Sequence, residues 1–87
     1  MARDIQFTDN AWRDYLWWQE HDETTLVRLN ALIKECQRTP FRGTGKPEPL
    51  KGDLKGFWSR RITRVDRLVY AVTKGSLPIV ACRFHYD

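Results

Sequence analysis

No apolar run in this chain is long enough to cross a bilayer or to form the core of a signal peptide, so cytoplasmic residence is the expectation. Cysteine is scarce. Only Cys36 and Cys82 occur, far apart and each inside an apolar pattern. That excludes a dense disulfide framework; buried free thiols are expected, with a single Cys36–Cys82 bridge as the alternative. Histidine is as scarce, and His21, Cys36, Cys82 and His85 show no metal-ligand spacing, so no metal or other cofactor is expected. There is no internal repeat, no low-complexity tract and no acidic tail. At 87 residues there is room for one modest core, and hence for one domain over 1–87.

What is present is hydrophobic and basic. Hydrophobic residues make up 41% of the chain and aromatic ones 13%, including four tryptophans, which suits a folded globule rather than a disordered tail. The formal net charge of +4 favours a polyanion or an acidic protein as partner.

Residues 2–7 alternate apolar Ile5 and Phe7 with Asp4 and Gln6, which predicts a short strand. Thr8-Asp9-Asn10 offers N-cap chemistry for a helix over 9–20, with Trp12, Tyr15, Leu16 and Gln19 at helical spacing. Trp17 and Trp18 cannot both face that stripe, so one belongs at an edge. His21 reads as a solvated turn residue. Asp22 is placed to cap a second helix running to about Arg38, with Leu26, Leu29, Leu32, Ile33 and Cys36 inward and Arg28, Lys34, Glu35 and Arg38 outward. Thr39-Pro40 ends it. A loop over 39–50 follows, then three strands over about 56–63, 67–73 and 77–84. The predicted fold is α+β in the order β-α-α-β-β-β, with two helices packed on one face of a twisted, mainly antiparallel sheet.

The stretch KPEPLKGDLKGFWSRRITRVDR, over 46–67, carries the chemistry. It sets Glu48 between two prolines, adds Lys51 and Lys55, and ends in Arg60, Arg61, Arg64 and Arg67. A carboxylate on a stiffened loop beside dense positive charge suits a general base beside a phosphate. The same residues also fit a proline-rich connector entering a strand with solvated arginines. His85, in Arg83-Phe84-His85-Tyr86-Asp87, is the one good candidate for a titrating acid. Glu48, Arg67 and His85 together are what a metal-free ribonuclease requires. The base takes the 2′-hydroxyl proton, the arginine steadies the pentacoordinate phosphate, and the acid protonates the leaving 5′-oxygen.

Strand parity sets a condition on that trio. With a three-residue Lys74-Gly75-Ser76 loop, Thr73 faces Leu77 and Arg67 faces Arg83, leaving His85 on the face of Arg67. A two-residue turn sends His85 to the other face unless a bulge corrects it.

The blocks TPFRGTGKPEPLKGDLKGFWSRRITRVDRLVYAV and ACRFHY, with the early WRDYLWWQEHD, resemble the YoeB (Txe/YoeB) family of bacterial toxins in the RelE/ParE toxin–antitoxin superfamily. The resemblance runs from about Phe7 to Tyr86. It implies a compact microbial-ribonuclease-like fold and an endoribonuclease that cleaves mRNA in the ribosomal A site and so inhibits translation. It assigns Glu48 as general base, His85 as general acid and Arg67 as the phosphate-stabilising arginine. By the same resemblance Lys51 and Tyr86 match residues that help to hold and cleave RNA, with Arg61 and Phe84 near them as substrate-binding candidates. It also implies a homodimer, an acidic antitoxin of the YefM type, and binding of operator DNA by the toxin–antitoxin complex. Two features depart from the family pattern: Phe84 stands where tyrosine is common, and Asp87 extends the chain beyond Tyr86.

Two rival classes fit the same chain. One is a non-catalytic basic module docking on RNA or DNA through Arg60, Arg61, Lys51 and Lys55. The other is a superfamily member with a non-ribonuclease target. Pure docking needs neither Glu48 nor His85, which favours the enzyme.

Overall fold

A computed structural model of the chain describes residues 2–84. In chain order it contains β1 (Asp4–Phe7), α1 (Asp9–His21), α2 (Glu23–Arg38), β2 (Glu48–Pro49), a 3-10 turn (Gly52–Leu54), β3 (Trp58–Arg61), β4 (Arg67–Tyr70) and β5 (Ser76–Ala81). The helices begin where the sequence supplies caps. The Thr8 hydroxyl accepts the Ala11 N–H at 3.2 Å, and the Asp22 carboxylate accepts the Thr25 N–H at 3.0 Å and its hydroxyl at 2.7 Å. No helix among the described residues is long and apolar enough to cross a membrane.

The five strands form one mixed sheet in the order β1-β5-β4-β3-β2, with β1 parallel to β5 and the other pairs antiparallel. The helices lie on one face. Leu68, Tyr70, Leu77 and Ile79 from the sheet meet Ala11, Trp18, Leu29, Leu32, Ile33 and Cys36 from the helices in a single buried cluster. Against expectation, Trp12 is 47% exposed and Gln19 is exposed, because the inward stripe of α1 runs through Ala11, Asp14 and Trp18. Trp12 lies at the margin, stacked on Tyr15 at 5.6 Å and edge-on to Phe7. Trp18 is buried and Trp17 half-buried, the division that two adjacent helical rings impose.

Three further expectations are corrected. Glu48 lies in a two-residue strand, not in a loop, because Glu48 and Pro49 pair with Ser59 and Trp58. The last strand ends at Ala81 instead of Phe84, since the backbone of Cys82 is taken up by α1: its N–H donates to Asp14 at 3.0 Å and its carbonyl accepts from the Trp18 indole at 2.7 Å. Arg60 is not a surface cation. It is fully buried on the helix face, where it pairs with Glu35, itself expected in water. Its remaining N–H groups bond the Tyr70 hydroxyl and the carbonyls of Thr39, Arg42 and Thr44. Alternation explains this: Trp58, Arg60 and Ile62 follow Ser59 and Arg61 on opposite faces.

The β4–β5 connection is shorter than the three-residue loop. Thr73 N–H donates to the Ser76 carbonyl at 3.1 Å, so the turn has two residues, Lys74 and Gly75, and not three. A bulge then shifts the register: Tyr70 faces Ile79 but Val69 faces Ala81, leaving Val80 unpaired, and the expected facing of His85 lies outside the described residues. The Val80 carbonyl is taken by the Thr8 hydroxyl and the Asn10 amide at 3.3 and 3.2 Å. Farther along, the Arg67 N–H donates to the Phe84 carbonyl at 2.9 Å, so Arg67 meets Phe84 and not the expected Arg83.

Candidate active site

The site is built on the sheet face away from the helices. Glu48 faces Ser59, Ser59 faces Val69, and Val69 faces Ala81, so one row crosses β2, β3, β4 and β5. Paired residues share a face, and so do residues two apart along a strand, which places Arg61 and Arg67 beside that row. Ser59, Val69 and Ala81 are small and buried, a low floor between the larger polar groups. Glu48 and Arg67 stand two strands apart, about 10 Å, and two residues apart along the strands, about 7 Å. Long side chains on such a frame converge on a group the size of a phosphodiester. Glu48 and Arg61 are exposed and Arg67 is half-buried. None of the three makes a side-chain ion pair among the described residues.

Arg67 is held from behind. Its Nη1 lies 3.3, 3.4 and 3.2 Å from the carbonyls of Thr63, Arg64 and Asp66. These belong to the turn joining β3 to β4, which is closed by its own side chains. The Thr63 hydroxyl donates to the Asp66 carboxylate at 2.8 Å and accepts the N–H groups of Val65 and Asp66. The other Asp66 oxygen accepts the Phe84 N–H at 2.7 Å.

Lys51 and Lys55 flank the 3-10 turn that follows β2, and both are exposed. The loop carrying them is closed where the Leu50 N–H meets the Phe57 carbonyl at 2.9 Å. Upstream, the loop over 39–47 is tied to β3 by Arg60 and by the Arg61 N–H, which donates to the Gly45 carbonyl at 2.7 Å. Gly45 has φ +86°, and a Cβ there would lie 2.9 Å from the Arg61 carbonyl oxygen, so the sequence needs glycine at this approach.

Phe84 is 58% exposed at the end of a stack. His21 lies on one face of the Trp17 indole, 4.4 Å between centroids; the Arg83 guanidinium lies 3.5 Å from the Trp17 centroid and 4.3 Å from that of Phe84. His21 is therefore the outer ring of a stack as well as the exposed last residue of α1. His85 and Tyr86, the expected general acid and RNA-holding residue, lie outside the described residues.

The structure thus brings Glu48, Arg61 and Arg67 to one face, and Phe84 to the backbone of Arg67. The sequence reading missed Asp14 and Asp66, whose carboxylates accept the N–H groups of Cys82 and Phe84 and fix the segment beyond β5. The Thr63-x-x-Asp66 spacing between two strands was the available signal for the second. Burial pushes the Asp14 pKa up despite the Cys82 N–H, and burial with the Asp14 charge pushes the Cys82 thiol to about 12. An open apolar groove of about 450 Å³ between β1 and the helices, lined in part by Ile5, Phe7, Trp12 and Ile33, contains none of the candidate residues.

Residues 7–86 match the model of a family described as YoeB-like toxin of bacterial type II toxin–antitoxin system. The chain belongs to the YoeB family. It is 60% identical over 80 residues to Toxin YoeB of Escherichia coli strain K12, covering 92% of this chain and 95% of that one. Toxin YoeB of Streptomyces coelicolor is 54% identical over 82 residues, 94% of this chain and 98% of the other. In three dimensions the chain superposes on a YoeB/ParE toxin from Agrobacterium tumefaciens with a TM-score of 0.91 at 47% identity, over 95% of this chain and 99% of that one. The YoeB dimer from Staphylococcus aureus gives 0.91 at 38% identity, over 99% and 100% of the two chains. The YoeB–YefM complex from the same organism gives 0.88 at 37%, with the same coverage. The chain is therefore a toxin of the type II toxin–antitoxin class.

Proposed function

We propose that this YoeB-family toxin is a ribosome-dependent endoribonuclease that cleaves mRNA in the ribosomal A site and so inhibits translation. The observation that carries this reading is the placing of Glu48, Arg61 and Arg67 on one sheet face. Glu48 takes the proton from a ribose 2′-hydroxyl, and the 2′-oxygen attacks the adjacent phosphorus. Arg67 steadies the charge of the pentacoordinate phosphate, with Arg61 beside it. The P–O5′ bond breaks as His85 protonates the leaving 5′-oxygen. The products are a 2′,3′-cyclic phosphate and a 5′-hydroxyl, and no resident metal takes part. Lys51, Phe84 and Tyr86 hold the RNA.

A basic chain suits an acidic partner, and the YoeB–YefM complex and YoeB dimer of S. aureus support the same assemblies here. The toxin pairs with an acidic YefM-type antitoxin, forms a homodimer, and binds operator DNA as the complex.

The test is single-turnover cleavage of mRNA on programmed ribosomes, comparing the unchanged protein with Glu48→Ala and His85→Ala. Cleavage to cyclic-phosphate ends, lost in both variants, is expected. Ribosome binding without cleavage by the unchanged protein would instead favour the docking module, and 3′-hydroxyl ends would sink the 2′-hydroxyl mechanism.

A further inference from the structure

We propose that Thr63 is a positioning residue for the phosphate-stabilising arginine, acting through the turn that holds Arg67; this rests on the acid–base reading above. Arg67 Nη1 lies 3.3, 3.4 and 3.2 Å from the carbonyls of Thr63, Arg64 and Asp66. All three belong to the β3–β4 turn, so the guanidinium stands where that turn puts it. Its Nε and Nη2 make no hydrogen bond among the described residues. A guanidinium presents its donors as a planar fork, and the Nε–Nη2 edge left over matches two oxygens of a phosphate. The protein thus takes one corner of the group and leaves the edge that can grip a phosphodiester.

The turn keeps its shape chiefly through one hydroxyl. Thr63 Oγ1 accepts the Val65 N–H at 3.2 Å and the Asp66 N–H at 3.0 Å, and donates to the Asp66 carboxylate at 2.8 Å. The base of the turn is anchored separately. The Ile62 N–H meets the Asp66 carbonyl at 2.9 Å, and Arg28 of α2 donates to the Ile62 carbonyl. Arg64 and Val65 at the tip are exposed, so packing does little to fix them. Without the hydroxyl the three carbonyls no longer converge on one point, and a long, half-buried side chain regains rotamer freedom. Thr63→Val keeps the β-branched shape and deletes only the acceptor and donor.

Two readouts separate this role from one in the fold. NMR relaxation of the Arg67 Nε–H group reports how firmly the side chain is held. Its order parameter should lie above about 0.6 in the unchanged protein and below it in Thr63→Val, while the backbone values of β3 and β4 hold. Thr63→Ser keeps the hydroxyl and should restore it. Thr63→Ala deletes the same hydroxyl and takes the place of the valine variant if that folds poorly. Single-turnover cleavage on programmed ribosomes, with toxin saturating, should fall in Thr63→Val by up to about 10²-fold, the scale of a 1 Å misplacement near the reacting group. It should recover in Thr63→Ser. In an Arg67→Ala background, Thr63→Val should cost nothing further. An order parameter unmoved by Thr63→Val would overturn the hold, and an unmoved rate would overturn the positioning role. The same loss repeated in the Arg67→Ala background would also overturn it, placing the effect in the fold or in the bond from the Phe84 N–H to Asp66. If the unchanged protein cleaves nothing, the ribonuclease reading falls, while the order parameters still decide whether Thr63 holds Arg67.

Discussion

The buried Arg60 guanidinium is paired with the Glu35 carboxylate between β3 and α2, and Thr44 donates to the same carboxylate through its N–H and its hydroxyl. Arg60 thereby ties the loop that leads into Glu48 to both the sheet and the second helix. Replacing it with alanine leaves the carbonyls of Thr39, Arg42 and Thr44 to find other partners. Three such groups at about 1–3 kcal/mol each make a loss of at least about 3 kcal/mol the expected result. Arg61→Ala, one residue on and exposed, should stay within about 0.5 kcal/mol. Urea unfolding of the two variants checks this, and equal small effects would return Arg60 to the surface role.

That contrast marks the limit of what the sequence made legible. Helix starts were readable because Thr8 and Asp22 act locally, and the α2 stripe was readable because five apolar residues repeat at helical spacing. Arg60 and Arg61 are identical in type, and only alternation within a strand whose register is set by distant pairing distinguishes them. The bulge at Val80 was named as a condition but not located, since its cause is the capture of the Val80 carbonyl by Thr8 and Asn10, some 70 residues away. On the candidate site, Glu48, Arg61 and Arg67 were named from residue type and resemblance, and the sheet register puts them on one face. Asp14 and Asp66 were passed over because an aspartate that accepts a backbone N–H looks, in sequence, like any surface acid.

Stability should respond to acid through two carboxylates of opposite sign. Burial of Glu35 acts to raise its pKa, but the two Thr44 bonds and Arg60 outweigh it, leaving the pKa below the ordinary 4.5. Its charge therefore contributes stability above 4.5 that is lost as pH falls through the lower folded value. Asp14 is raised from 3.8, chiefly by burial, so its contribution is full below 3.8 and lost as pH rises through the folded value. Glu35→Gln should flatten the acid fall in stability. Asp14→Asn, which keeps an acceptor for Cys82, should be at least as stable as the unchanged protein at neutral pH. Unfolding free energies from about pH 3 to 7 decide both.

The two thiols should be inert in the folded state. Cys36 and Cys82 are unbridged and fully buried, and burial raises the pKa of each, that of Cys82 to about 12. The thiolate is the reactive form, so iodoacetamide at mildly alkaline pH should leave the native protein unmodified. Both should react once the chain unfolds, read by intact mass. Rapid modification of native Cys82 would contradict its packing against α1.

Gly45→Ala should be costly in a way that Gly52→Ala is not. Both glycines have positive φ, +86° and +65°, but a Cβ at Gly52 meets nothing within 4 Å, whereas one at Gly45 meets the Arg61 carbonyl at 2.9 Å. Strain of this kind costs about 1–3 kcal/mol, with the backbone clash placing Gly45→Ala at or above the upper end. Because the loop over 39–47 leads to Glu48, the Gly45 variant should also lose cleavage at temperatures where it is still folded. Thermal unfolding and single-turnover rates together test this; equal effects at the two glycines would contradict the close approach.

Catalysis and docking should separate between Glu48 and the lysines that follow it. Glu48 is exposed, carries a negative charge on a basic face, and can contribute nothing to phosphate neutralisation. Glu48→Ala should therefore lose about 10²–10⁴-fold in single-turnover rate while ribosome binding holds. Lys51 and Lys55 are exposed on either side of the 3-10 turn and carry positive charge. Replacing either should weaken binding and reduce the slope of log affinity against log salt by about 0.7–0.9 per charge removed. Cleavage at saturating toxin should change far less. All three variants should keep their stability within about 0.5 kcal/mol, since none is buried. A stability loss confined to Glu48→Ala would make that carboxylate a structural member of the β2–β3 pair. Weakened binding by Glu48→Ala with an unchanged saturated rate would move it from the chemistry to substrate contact.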